Sequence, residues 1–139
     1  MKFKAHDVVR ASGLSYRQLD YSLRTGILRL SGGSVCGYGV PRRFGLGDVV
    51  ALAVLHDALD VGVAPSTVAP ALRLVQRQVS ERLLDRVRDT FVSTDGRRAR
   101  FMKKGEVIEK TGGVVMYIFD LGAVVDRVQD RLPREGQRS

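Results

Sequence analysis

The chain has 139 residues, of which 44% are hydrophobic and 27% charged, which is enough apolar content for one compact domain or two very small ones. It carries 23 Lys and Arg against 15 Asp and Glu, and the formal net charge of +8 favours a polyanionic partner, either nucleic acid or an anionic membrane surface. Its one cysteine, Cys36, excludes an intramolecular disulfide and any multi-cysteine zinc site.

The excess positive charge is concentrated at the start of the sequence. Residues 1–44 hold eight Lys and Arg against two Asp, residues 45–89 hold five against six acids, and residues 90–139 hold ten against seven. No apolar run approaches the ~18 residues of a membrane span, and residues 1–7 lack the apolar region of a signal peptide. We therefore expect a soluble, cytoplasmic protein with no membrane partner.

The first predicted elements are two short helices joined by a tight turn. The first covers residues 6–12 and ends at Gly13, and Ser15 is a good N-cap for a second helix that reaches about Arg24. Leu19 and Leu23, four residues apart, are expected to anchor the apolar face of the second helix. Its polar face holds four side chains at helical spacing, namely Arg17, Asp20, Tyr21 and Arg24. This pattern is typical of a helix-turn-helix.

A glycine-rich segment follows and then a strongly apolar helix. Residues 29–44 combine four glycines with β-forming residues, which predicts a hairpin whose basic end is Arg42-Arg43. Asp48 is then expected to cap a helix that is rich in Val, Leu and Ala and runs to about Asp60.

A single long helix is predicted over residues 66–89, with Ser66 as its cap. It carries an apolar stripe composed of Val68, Leu72, Val75, Val79 and Leu83. About 22 helical residues would span about 33 Å, which is longer than so small a domain needs for itself. The stripe is therefore interpreted as a dimer seam, with intrachain core as the alternative.

Strand signals begin after residue 90. Residues 91–102 predict a β-hairpin around the Asp95-Gly96 turn, and the apolar run 114–119 predicts a buried strand. Residues 121–132 are amphipathic and predict a final helix, and residues 133–139 form a polar tail that we expect to be flexible. The predicted class is thus α+β.

Four segments, occurring in order, resemble the DNA-binding domain of the MerR-like winged-helix regulators. They are residues 3–15; Leu19, Tyr21, Arg24 and Gly26-Ile27-Leu28; Arg42-Arg43-Phe44 with Asp48, Val49 and Leu52; and Gly62-Val63 with Val68 and Leu72. The resemblance implies a winged helix-turn-helix over residues 1–72, followed by a helix through which such proteins dimerise.

The resemblance also implies which residues contact DNA. The second helix would enter the major groove and the basic wing would lie on the backbone. The implied contact residues are Ser15, Tyr16, Arg17, Gln18, Tyr21, Arg24, Arg42 and Arg43. Two positions depart from the family's pattern, because Asp20 stands where an Arg is usual and Ser22 replaces an aromatic. Asp20 is interpreted either as orienting Arg17 or Arg24, or as an acceptor for a cytosine amino group.

The predicted organisation is a DNA-binding domain (1–72), a long helix suited to dimerisation (66–89), a small strand-rich module (90–132) and the tail (133–139). The sequence predicts a sequence-specific transcriptional regulator that binds double-stranded DNA as a homodimer in the bacterial cytoplasm, associated with the nucleoid. The alternatives are an antitoxin-like protein, whose C-terminal module binds a protein partner while the N-terminal half autoregulates, and an excisionase-like architectural DNA-binding protein.

The sequence offers no support for catalysis. It contains no nucleophile elbow, phosphate-binding loop or cluster with metal-ligand spacing. With one cysteine and two separated histidines, His6 and His56, we expect neither a metal nor a nucleotide cofactor.

Overall fold

The computed structural model describes residues 2–30, 42–80, 86–103, 105–106 and 116–133. Several predicted features lie outside these residues: most of the 29–44 hairpin with Cys36, Leu83 of the apolar stripe, the first residues of the 114–119 strand, and the tail from 134 onward. Within the described residues the protein is α+β, with five helices and one three-stranded antiparallel sheet.

The described elements follow one another in an order close to the predicted one. They are α1 (Ala5–Ser12), α2 (Tyr16–Arg24), α3 (Leu46–Asp60), α4 (Pro65–Gln78), β1 (Thr90–Thr94), β2 (Ala99–Lys103), β3 (Tyr117–Asp120) and α5 (Leu121–Arg131). Strand β1 is central and pairs antiparallel with both neighbours, so that Val92 lies opposite Phe101 on one side and Phe119 on the other. The predicted hairpin is confirmed. Its turn is held by the Asp95 carboxylate, which accepts hydrogen bonds from two following backbone amides.

Helix α3 lies at the centre of the protein. Eleven of its fifteen residues are buried, because Val, Leu and Ala occupy every side of the helix and no face can be left to water. Helices α1, α4 and α5 pack around it. The predicted N-cap of this helix is wrong by three residues. Gly45 is the N-cap, and Asp48 lies in the first turn, where its Oδ2 accepts from the Gly45 amide at 2.8 Å.

The single helix predicted over residues 66–89 is wrong in its length. Helix α4 ends at Gln78, and Val79 already has extended backbone angles (φ −88°, ψ 121°). No Gly or Pro follows Gln78 before the sheet begins, so the sequence offers no local signal for this end. The predicted cap is also wrong, since the helix begins at Pro65 with Ala64 as its N-cap and Ser66 makes no capping bond.

The apolar stripe on α4 belongs to the core of the chain itself. Val68, Leu72, Val75 and Val79 are all buried within it. The helix has 14 residues and so spans about 21 Å at about 1.5 Å per residue, which such a core can cover. The excess length that favoured a dimer seam is therefore absent, and dimerisation stays a prediction without this support.

One hydrophobic core joins the predicted N-terminal and C-terminal units. Val92 of β1 and Val125 of α5 belong to the same buried cluster as Val8 of α1. An ion pair reinforces this contact, because an Arg127 Nη of α5 lies 2.9 and 3.0 Å from the two carboxylate oxygens of Asp57 in α3. No helix among the described residues is long and apolar enough to cross a membrane.

Gly47 lies where the start of α3 comes close to the backbone at the end of α4. A Cβ at this position would lie 2.7 Å from the Gln76 carbonyl oxygen and 2.8 Å from that of Val79. Both are backbone atoms, so Gly47→Ala must push the two helices apart. We expect it to lower the free energy of unfolding by about 1–3 kcal/mol in urea denaturation.

Gly105→Ala is the matched control for this prediction. A Cβ at Gly105 would meet no described atom within 4 Å, so we expect a change of less than about 0.5 kcal/mol. Equal stability of Gly47→Ala and the wild type would contradict the close packing of α3 against α4.

Candidate nucleic-acid interface

A short turn joins α1 to α2 and fixes the angle between them. Gly13 ends α1 with a φ of +87°, a backbone conformation that favours glycine, and its amide donates to the Val9 carbonyl at 3.1 Å. The His56 ring of α3 lies against this turn, and a Cβ at Gly13 would come within 2.9 Å of its Nε2. The positive φ favours glycine here, and any larger side chain would also have to displace the His56 ring. His56, which the sequence leaves without a role, supports the turn.

Helix α2 begins with a reciprocal pair of hydrogen bonds. The Ser15 hydroxyl oxygen accepts from the Gln18 amide at 3.1 Å, and the Gln18 side-chain oxygen accepts from the Ser15 amide at 2.9 Å. The predicted N-cap is thus confirmed. Both residues were also predicted to contact DNA, and this capping box occupies their acceptor oxygens. The Ser15 hydroxyl proton and the Gln18 amide NH₂ are the groups they would use toward an external acceptor such as phosphate.

The two faces of α2 differ sharply in polarity. Leu19 and Ser22 are buried against the rest of the protein, and the Ser22 hydroxyl donates to the Gln18 carbonyl at 2.7 Å. Five predicted contact residues of α2 are exposed to solvent: Tyr16, Arg17, Gln18, Tyr21 and Arg24. Tyr16 and Tyr21 are 58% and 55% exposed, which is unusual for large side chains with apolar rings. An exposed face of this composition offers both hydrogen-bond donors and flat rings to a partner.

Asp20 lies between two of the predicted contact arginines. Its Oδ1 is 2.7 Å from an Arg42 Nη, and its Oδ2 is 3.1 Å from the Arg24 Nε. The hydrogen bond from Arg42 is the main reason that the pKa of the Asp20 carboxyl is lowered, and the positive charge of Arg24 adds to it. Of the two arginines that the sequence offers as partners for Asp20, the structure pairs it with Arg24. The pairing with Arg42 was missed, because the two residues are 22 positions apart and no local spacing connects them.

Arg42 and Arg43 are neighbours with different surroundings. The Arg42 side chain is 27% exposed and bonded to Asp20, whereas Arg43 is exposed to solvent. Both are held close to the N-terminus by the next residue, because Phe44 exchanges two backbone hydrogen bonds with Phe3, at 2.7 and 3.0 Å. The segment after the glycine-rich stretch is thereby fixed beside the residues that lead into α1.

Asp20 connects Arg42 to the exposed face of α2, and Arg43 follows Arg42 in the chain; we call this group of residues the arginine surface. It consists of Tyr16, Arg17, Asp20, Tyr21, Arg24, Arg42 and Arg43. Four arginines against one aspartate give it a formal charge of +3, so it attracts anions. Among the residues that the structure describes, no group of three or more His, Cys, Asp or Glu is placed to hold a metal ion.

No protein-family model matches this chain, and no curated protein matches it. The MerR-like winged-helix assignment therefore stays a prediction from the residues of the four segments named above.

Removing the cap of α2 should destabilise the protein measurably. Ser15→Ala leaves the Gln18 amide without its acceptor, and we expect it to lower the free energy of unfolding by about 1 kcal/mol. Ser66→Ala is the matched control, because Ser66 lies in the first turn of α4 but makes no capping bond. We expect this control to stay within about 0.5 kcal/mol of the wild type in urea denaturation. A loss at Ser66 as large as that at Ser15 would contradict this assignment of the caps.

The Asp20–Arg42 bond should be visible in a titration. The folded-state pKa of Asp20 lies below its usual 3.8, so the ion pair favours the folded state above the unfolded-state pKa and this effect is lost as the pH falls through the folded-state pKa. We expect Arg42→Gln to raise the pKa of Asp20 toward its usual value, as measured by carboxyl ¹³C NMR.

Asp95 provides the internal reference for this titration. Its pKa is also lowered, mainly by the backbone amides of Arg98 and Arg97, and Arg42→Gln should leave it unchanged. An Asp20 pKa that is the same in the variant and the wild type would show that Arg42 is not its main partner.

Proposed function

We propose that this protein binds double-stranded DNA sequence-specifically, with α2 in the major groove and Arg43 on the flanking backbone. The observation that carries the proposal is the exposed face of α2, where Arg17, Arg24 and two tyrosines project from a helix that is anchored by Leu19 on its other side. The net charge of +8 adds the general attraction to a polyanion that every DNA-binding surface needs.

The dimensions and chemistry of α2 suit the major groove. Its nine residues span about 14 Å, and a B-form major groove is about 12 Å wide and admits one α-helix. An arginine on such a helix donates two parallel hydrogen bonds to a guanine edge, which is the commonest base-specific contact. Tyrosine hydroxyls and backbone amides at the start of the helix bind phosphate and fix its position.

In this proposal the protein is a transcriptional regulator of the MerR-like winged-helix type. Arg42 and Arg43 then belong to the end of the wing, and Arg43 contacts phosphate because it is exposed to solvent. A homodimer would place two copies of α2 on the half-sites of a palindrome about one helical turn apart. The four resembling segments support this, together with the helix-turn-helix arrangement of α1 and α2.

Selection from a pool of random duplexes tests the proposal directly. Wild-type protein is incubated with the pool, bound duplexes are amplified over several rounds, and affinities are then measured by fluorescence anisotropy. We expect enrichment of one sequence that binds on the order of a thousand-fold more tightly than a scrambled duplex of the same composition. A pool that stays random, with equal affinity for all duplexes, would overturn the proposal.

Substituting an arginine that contacts a base and substituting one that contacts phosphate should change DNA binding in different ways. Arg17→Ala should cost about 1–3 kcal/mol on the selected duplex and relax the preference at one base pair, since it removes a base contact. Arg43→Ala should weaken binding to selected and scrambled duplexes by the same factor and reduce the slope of log K against log salt by about one.

Arg97→Ala is the control for charge, because Arg97 is exposed in the β1–β2 turn outside the arginine surface. We expect its effect on both duplexes to be small. If Arg17→Ala and Arg43→Ala changed affinity and sequence preference alike, this docking of α2 and Arg43 would be wrong.

A further inference from the structure

The arginine surface contains one carboxylate, and that carboxylate is bonded to two of its four arginines. Asp20 uses one oxygen for Arg24 and the other for Arg42, at 3.1 and 2.7 Å. It is not a buried structural acid, since its side chain is 42% exposed. An acid in the middle of a surface that would meet phosphates works against binding of any polyanion, so its position calls for a functional reason.

We propose that Asp20 determines sequence specificity as a positioning residue, an inference that rests on the DNA-binding function proposed above. It holds Arg24 and Arg42 in one arrangement and keeps phosphate away from the centre of the arginine surface.

The ion pair between Asp20 and Arg24 leaves the terminal nitrogens of Arg24, which would bind a base edge, available. The ion pair uses the Nε of Arg24, and its two terminal nitrogens have no partner among the described residues. The Arg24 side chain is 69% exposed. A guanidinium that is already held by one edge loses less conformational freedom when it binds a guanine, so its base contact is stronger than that of an unrestrained side chain.

The negative charge of Asp20 weakens non-specific complexes with DNA. A phosphate that approached the space between Arg24 and Arg42 would meet the carboxylate and be repelled, whereas a base edge is neutral and offers amino donors to it. The bond from Arg42 favours the ionised form of Asp20, so this repulsion is present at neutral pH. Specificity gained by penalising the wrong complex is a general device of selective interfaces.

Asp20→Asn tests this inference because it removes the charge and preserves the shape. Affinities are measured by fluorescence anisotropy over a salt series, on the duplex selected by the wild type and on its scrambled version. We expect Asp20→Asn to bind the scrambled duplex several-fold more tightly, with a salt slope steeper by about one, because released arginines contact phosphate. We expect the ratio of selected to scrambled affinity to fall about tenfold.

Asp130→Asn is the matched control, since Asp130 is exposed on α5 outside the arginine surface and the substitution changes the net charge equally. It should shift both affinities by one common factor and leave their ratio unchanged. Adding Asp20→Asn to an Arg24→Gln/Arg42→Gln background should change the ratio less than about twofold, because Asp20 acts through these two arginines.

The outcomes separate the two proposals. If the wild type selects a sequence but Asp20→Asn keeps the wild-type ratio, the role of Asp20 is refuted while the DNA-binding function stands. A ratio that falls equally in Asp130→Asn would also refute it, because net charge alone would then explain the effect. If the wild type selects no sequence, the proposed function fails and the role of Asp20 fails with it.

Discussion

Helix α3 has apolar side chains around its whole circumference, so every side of it must be covered by another part of the chain. Helices α1, α4 and α5 provide that cover, and they come from both halves of the sequence. Helix α2 is attached to this core through α1, while the C-terminal strands and α5 close the core from other sides. The candidate interface is therefore built on a core that the C-terminal half completes, and the two halves pack as one body.

Polar contacts add to the packing of Leu19 and the half-buried Leu23 in holding α2 in place. Its start is capped by its own side chains and the preceding turn lies on His56. The chain that leaves it is held by Gln76 of α4, whose amide donates to the Arg29 carbonyl and, at 2.6 Å, to Asp48. Asp48 is fully buried, and it is tolerated there because both of its carboxylate oxygens accept hydrogen bonds.

The arginine surface shows how neighbours in sequence acquire different properties in the fold. Arg42 and Arg43 read alike in the sequence, yet only Arg42 reaches Asp20 and is withdrawn from solvent. Ser22 is buried with its hydroxyl bonded to the Gln18 carbonyl inside the helix, so it is not part of the exposed face of α2. The packing of the core, which buries some side chains and leaves others exposed, thus determines which residues form the arginine surface.

The sequence by itself determined the features whose causes lie within a few residues. Gly13 sets the end of α1, the Ser15–Gln18 capping box sets the start of α2, and Asp95-Gly96 sets the turn of the β1–β2 hairpin. In each case the residues that give the signal lie next to the feature they cause. Only the tertiary structure decided the end of α4 at Gln78, the glycine requirement at Gly47 and the bond between Asp20 and Arg42. Val79 and Leu83 continue the apolar spacing of α4 beyond Gln78, so this spacing does not show where the helix ends. The glycine requirement at Gly47 and the Asp20–Arg42 bond depend on how closely two segments that are distant in the sequence approach each other. Helix packing fixes that distance, and the spacing of residues along the chain does not indicate it.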